Sequence, residues 1–294
     1  MDVSEWPVVS QEPGGAEPKY WITRPEDVDR LKLDRLWLFK PVKRGVESGY
    51  RRYDDVAELV ASALAEAIGL PAAAVKFARR NADEGIISRN ITTPGWELHP
   101  GDTRLSECPG YERISDDDHR PKNQQGHNLA NIRSVLDGCA GPPDGFADEP
   151  AFPVFAGYLV FDAWIANTDR HAINWAVLER DGLLRLAPSF DHGTALASGV
   201  READLARRDP RTFAHGGMAS RFENGRKRTL VDLALEAVEL GGPLARVWLE
   251  RVAGLDPARL DKLLDAATNT TRMSVERRTF LEAVLRENQG RLAT

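Results

Sequence analysis

Cysteine is nearly absent from this sequence: Cys108 and Cys139 are the only two in 294 residues. Two thiols cannot build a disulfide framework in a chain this long, so a reducing, cytoplasmic setting is the expectation. No apolar run approaches the roughly 20 residues needed to cross a bilayer. The opening stretch, MDVSEWPVVSQEPGG, has neither the basic nor the apolar region of a secretory signal. Membrane association is therefore not expected. There is no basic excess either, since 39 Lys and Arg face 45 Asp and Glu for a net charge of −6. A general nucleic-acid coat needs a basic surface to displace counterions, so direct nucleic-acid binding is not expected. Internal repeats and low-complexity tracts are missing too. What is present is the composition of an ordinary folded protein, 42% hydrophobic and 29% charged. The length suits one large domain or two lobes sharing a cleft.

Along the chain, the first part reads as strands around one helix. Residues 19–23 (KYWIT) and 36–40 (LWLFK) are short, aromatic and apolar, with a charged turn-like segment between them. Val56, Leu59, Val60, Ala63, Leu64, Ala67 and Ile68 then recur at helical spacing. Asp54 and Asp55 suit the positive end of that helix dipole, and Gly69 with Pro71 stops it. Residues 74–78 and 85–90 are two more strand candidates joined by a polar turn. These elements predict a small β-rich lobe over residues 1–92. Residues 93 to about 125, rich in Pro, Gly and Asp, carry no regular pattern. Helices are predicted over 127–136 and 151–167, and the chain from Thr229 onward reads as helical. The expected fold class is α+β, with a larger, mainly helical lobe over residues 93–294.

One stretch carries chemistry: IANTDRHAINWAVL followed by ERDGLLRLAPSFDHGTAL. An apolar helix gives way to the polar burst DRHAIN. Two apolar strands, 175–178 and 183–186, are then joined by Asp181-Gly182, a strong hairpin signal. Asp169 and Asn174 precede the hairpin and Asp191 follows it. Antiparallel pairing therefore brings all three to one edge. Two carboxylates and an amide oxygen form a hard-ligand set suited to Mg²⁺ on phosphates. A carboxylate left free of metal could accept the proton of an attacking hydroxyl. Asp and Asn also cap turns routinely, so the joint pattern carries the reading rather than any single residue.

D-R-H-x-x-N followed by F-D-H-G resembles the catalytic core of HipA-like kinases, the serine/threonine kinases of bacterial toxin–antitoxin modules. GGAEPKYWI is similar to that family's glycine-containing loop and first strands. LFKP supplies a strand lysine, and AELVASALAEAIGLP is similar to the helix bearing its glutamate partner. The resemblance covers most of residues 10–195. It implies a two-lobed protein-kinase/phosphoinositide-kinase-like fold using ATP and Mg²⁺. It also implies Asp169 as catalytic base, Asn174 and Asp191 as Mg²⁺ ligands, and Lys40 on the ATP phosphates, positioned by Glu58. The backbone around Gly14, Gly15 and Ala16 would cover the phosphates. A protein substrate and an antitoxin partner follow from the same resemblance. A small-molecule or lipid kinase on this fold remains an alternative, as does a pseudokinase or binding module.

The sequence departs from the family in two places. It starts almost directly at the loop, which suggests a minimal form without the small N-terminal subdomain. Glu12, with Pro13 after it, stands where members often carry an autophosphorylated serine. Arg201, Arg207, Arg208 and Arg211 fall where an activation segment would lie, and could face either solvent or an acidic partner. Arg170 and His171 flank the base, and His171 reads as structural. Cys108, His119, His127 and Cys139 fit no zinc spacing. Trp96 and Trp164 read as packing residues.

Overall fold

The computed structural model describes residues 1–12, 18–44, 50–114, 122–143, 145–271 and 273–293. Strands β1 (Val8–Gln11), β2 (Tyr20–Ile22) and β3 (Trp37–Pro41) are followed by helix α1 (Asp54–Ala67), then β4 (Val75–Arg80) and β5 (Asp83–Arg89). They build an antiparallel sheet in the order β1-β2-β3-β5-β4. Period-two alternation splits β3 between two faces. Trp37 and Phe39 join Val3, Ile22, Ala78 and Ile87 in a small apolar cluster. Lys40, next to Phe39, projects to the other face, over which α1 packs. Gly85 lies across from this lysine strand, and any Cβ there would come within 2.2 Å of the Lys40 carbonyl oxygen. β1 is an addition to the strands legible in the sequence.

The remainder is mainly helical. In chain order come β6 (Glu97–Pro100), α2 (Gly101–Leu105), α3 (Leu129–Val135), α4 (Ala151–Trp164), β7 (Ala176–Arg180) and β8 (Leu183–Leu186). Then follow α5 (Glu202–Leu205), α6 (Pro210–His215), α7 (Leu230–Gly241), α8 (Pro243–Ala253), α9 (Pro257–Thr271) and α10 (Val275–Leu292). α4 is apolar on every side and almost wholly buried, as its sequence demands. It packs against α7, α8 and α10. Thr229 caps α7 with a capping box closed by Asp232. The apolar face of α1 (Val56, Val60, Leu64) belongs to this same core. Arg251 of α8 also donates to the Ile68 and Gly69 carbonyls at the end of α1. The helix nearest Lys40 is thus anchored to the helical part.

Three elements differ from expectation. β6 and α2 form within the stretch that showed no pattern, because β6 gains its order by pairing with β7 in a three-stranded β6-β7-β8 sheet. α4 stops at Trp164 rather than continuing to 167, since Ala166 takes a left-handed φ of 53° that no helix continues through. The β7–β8 hairpin turns on Asp181 and Gly182 with φ of 51° and 78°, both positive, the geometry of a type I′ turn.

Candidate active site

Lys40 is the hub of one half of the site. Its Nζ lies 2.5 Å from Glu58 Oε1 and 3.2 Å from Asp191 Oδ1. The lysine therefore joins the sheet, α1 and the segment after β8. Burial alone would push the Lys40 ammonium down, but the Asp191 and Glu58 carboxylates outweigh that and hold it above its ordinary range. Lys40 in turn holds the Asp191 carboxyl well below the usual carboxylate range. Asp191 adopts a left-handed φ of 59°, a backbone state uncommon outside glycine and enriched at functional sites. Its side chain stays 43% exposed, against 5% for Glu58, so Asp191 is the member of this trio open to the cleft. Lys19 stands close by, its ammonium lowered first by burial and then by the charge of Lys40.

The other half is the loop between α4 and β7. Asn174 Nδ2 donates to the Asp169 carbonyl at 2.8 Å, so the amide oxygen is this side chain's remaining polar atom. His171 is mostly buried; its backbone N–H donates to the Asp169 carbonyl, and its Nδ1 accepts from the Ile173 N–H. Arg170 joins the two halves. It clasps Asp162 of α4 through Nε (2.7 Å) and Nη2 (2.8 Å), and donates from Nη1 to the Asn174 carbonyl and from Nη2 to Ser189 Oγ. Nη2 also lies 3.4 Å from His192 Nε2. Arg170 and His192 are the chain neighbours of Asp169 and Asp191, so this contact ties the two motifs together. Asp162 and Arg170 are both about 1% exposed, and such a charge pair survives burial only when fully hydrogen-bonded.

Asp169 carries a partner that sequence reasoning missed. Arg221, from the stretch between α6 and α7, places Nη2 2.7 Å from Asp169 Oδ1. The Arg221 carbonyl accepts from His127 Nδ1 at 3.2 Å, while His127 Nε2 accepts from the Trp175 indole at 3.3 Å. Burial pushes His127 down to about 4, which keeps it neutral and able to play both parts. His127 is thus a buried relay rather than one of a scatter of metal ligands. No cluster of His, Cys, Asp and Glu suited to a metal occurs among the described residues. His119, Gly14, Gly15 and Ala16 lie outside the described residues. Glu12 accepts from the Trp21 indole. Trp96 and Trp164 pack in apolar clusters. Asp162 did leave a signal, being the one acid in an apolar helix; Arg221 left none.

The family model of the HipA-like C-terminal domain matches residues 12–269. The chain belongs to the HipA family. The HipA-like chain is also similar in fold to the Helicobacter pylori proinflammatory kinase CtkA, with a TM-score of 0.67 at 17% identity, covering 99% of this chain and 94% of that one. It is similar as well to HipA of the Shewanella oneidensis MR-1 toxin–antitoxin system, solved with HipB and its operator DNA. There the TM-score is 0.52 at 13% identity, covering 97% of this chain and 65% of that one. A comparison with curated proteins finds no match. At such identities the likeness establishes the two-part kinase fold of this HipA-family chain, with its β-rich beginning and helical remainder.

The donor set fits Mg²⁺. A half-exposed carboxylate (Asp191) and a fixed amide oxygen (Asn174) are hard ligands. Hard oxygen donors of this kind are what Mg²⁺ takes.

Proposed function

We propose that this HipA-family chain is an ATP- and Mg²⁺-dependent phosphotransferase, a protein serine/threonine kinase. The observation that carries the reading is the Lys40–Glu58–Asp191 trio, with the loop bearing Asp169 and Asn174 tied to the segment before and after Asp191 through Arg170. In this reading residues 1–92 form the nucleotide-covering lobe and residues 93–294 the catalytic one. Gly14, Gly15 and Ala16 would lie over the phosphates.

Phosphoryl transfer asks for alignment and charge neutralisation more than covalent chemistry. Lys40 binds ATP phosphate oxygens, with Glu58 holding its ammonium in place. Asn174 and Asp191 would hold Mg²⁺, which would neutralise phosphate charge. Asp169 accepts the proton of the acceptor hydroxyl as that oxygen bonds to the γ-phosphorus. The bond to the β-phosphate oxygen breaks, and ADP leaves. A protein acceptor and an antitoxin-type partner are supported by the family and by the HipA neighbour, which was solved with HipB. A cytoplasmic location agrees with the two free thiols, and no helix among the described residues is long and apolar enough to cross a membrane.

The test is transfer of label from γ-labelled ATP with Mg²⁺ to the chain itself, to protein extract and to water. Wild type is compared with Asp169→Ala, Asp191→Ala and Lys40→Met. The reading expects labelled protein from wild type and a loss of at least about 10²-fold in each variant. Wild-type protein that moves no label to any acceptor would end it.

A further inference from the structure

The stretch 198–228 carries eight Arg or Lys against four Asp or Glu, in a chain whose overall charge is −6. Several of these cations are engaged. Arg211 pairs with Glu287 at 3.4 Å, Arg221 with Asp169, and Arg228 with Glu236, while Arg201 lies over the Tyr50 ring. Arg207 and Arg208, at the turn between α5 and α6, are exposed and make no ion pair among the described residues.

These two arginines rim an open groove of about 700 Å³, within the range of roughly 300–1,000 Å³ typical of ligand sites. Its inner wall includes Thr168, the neighbour of Asp169, and Thr194. Phe213 supplies an apolar side. Thr194, Thr212 and Asp209 are already engaged. Thr194 donates to Asn167 Oδ1 at 3.0 Å. Asp209, the one acid lining the groove, caps α6 by accepting from the Thr212 N–H (2.8 Å) and hydroxyl (2.6 Å). The charges left unpaired in the groove, among the described residues, are therefore two adjacent guanidinium groups, whose planar forks match carboxylates in bidentate fashion. Two cations on an otherwise acidic protein suit a short acidic peptide better than a polyanion such as nucleic acid, which needs many phosphate contacts.

We propose that this groove docks an acidic segment of the phosphate acceptor, so that the enzyme favours serine- or threonine-bearing substrates flanked by Asp or Glu. The inference rests on the protein-kinase reading and names the substrate class of that same site.

The test measures binding without nucleotide, by fluorescence anisotropy on the full chain. The probes are labelled peptides of equal length with alanine at the acceptor position, flanked by Asp and Glu, by Lys, or by neutral residues. The acidic peptide binds about tenfold more tightly than the neutral one. Salt near 0.5 M abolishes that preference. The double variant Arg207→Glu with Arg208→Glu loses or inverts it, and Arg207→Ala with Arg208→Ala weakens it. Equal binding of acidic and neutral peptides overturns the proposal, as does a double variant that keeps the preference. Tighter binding of single-stranded DNA of matched charge also overturns it, by assigning the groove to nucleic acid. The two readings fail separately. A chain that binds the acidic peptide but transfers no phosphate keeps the docking site and loses the kinase assignment. One that transfers phosphate with no acidic preference loses only the docking site.

Discussion

Arg221 Nη2 stands 2.7 Å from Asp169 Oδ1, with the two side chains 10% and 9% exposed. The carboxylate proposed as base is thus held by a guanidinium from a different part of the chain. The backbone carrying that guanidinium is tied through His127 to Trp175, at the entry to the hairpin.

Replacing Arg221 by Met frees the Asp169 carboxylate to rotate. Phosphate transfer falls on the order of 10²-fold, the usual consequence of misplacing a catalytic group by about 1 Å. The KM for ATP, set by the Lys40 side of the cleft, stays within about twofold. Steady-state kinetics with ATP varied separate the two. A variant that loses stability while keeping kcat would reduce the Arg221–Asp169 pair to a structural contact.

Arg170→Met tests the join between the two halves of the site. It strips Asp162 of its bidentate partner inside α4. Leaving a buried charge unpaired costs roughly 3–5 kcal/mol, and urea unfolding should register that loss. Methionine fills much of the same volume, so a loss below about 1 kcal/mol would mean the core does not need this ion pair.

Three buried histidines contribute to the acid limb of stability. Burial lowers His127 to about 4 and lowers His171 and His192 as well. The folded forms thus bind fewer protons than the unfolded chain, whose histidines titrate near 6.5. Their contribution to stability is full above about pH 6.5 and falls as pH drops toward 4. His127 alone accounts for about 3 kcal/mol of that fall, a shift of some 2.5 units at 1.36 kcal/mol each. His127→Gln shows a shallower decline between pH 6.5 and 4 in urea titrations. An unchanged slope would mean His127 is already protonated in the folded protein.

Gly157→Ala sets helix propensity against packing. Alanine favours a helix interior by about 1 kcal/mol over glycine. A Cβ at position 157, however, would come within 2.6 Å of the Trp248 indole, whose Nε1 donates to the Pro153 carbonyl. The clash wins, and thermal denaturation shows a net loss of about 1–3 kcal/mol. A rise in Tm would mean α8 can shift away from α4 at little cost.

Much of the local structure was legible because its causes lie within a few residues. The spacing of Val56, Val60 and Leu64 announces α1, and Asp181-Gly182 announces the hairpin. The candidate set Lys40, Glu58, Asp169, Asn174 and Asp191 could be named from DRHAIN, FDHG and LFKP with the family resemblance beside them. β6 was hidden because its order comes from pairing with β7 rather than from its own pattern. The glycine loop at Gly14, Gly15 and Ala16 lies outside the described residues.

By itself the sequence determined which chemical groups are present and which stretches coil or extend, since hydrophobic period, capping and turn chemistry act over short distances. Only the tertiary structure decided which charges meet. Arg170 on Asp162 and His192, Arg221 on Asp169, and Asp191 on Lys40 are partnerships across folded distance. The physical reason is that burial makes an unpaired charge costly, so each buried ion finds the partner that chain closure brings to it, however far away in sequence.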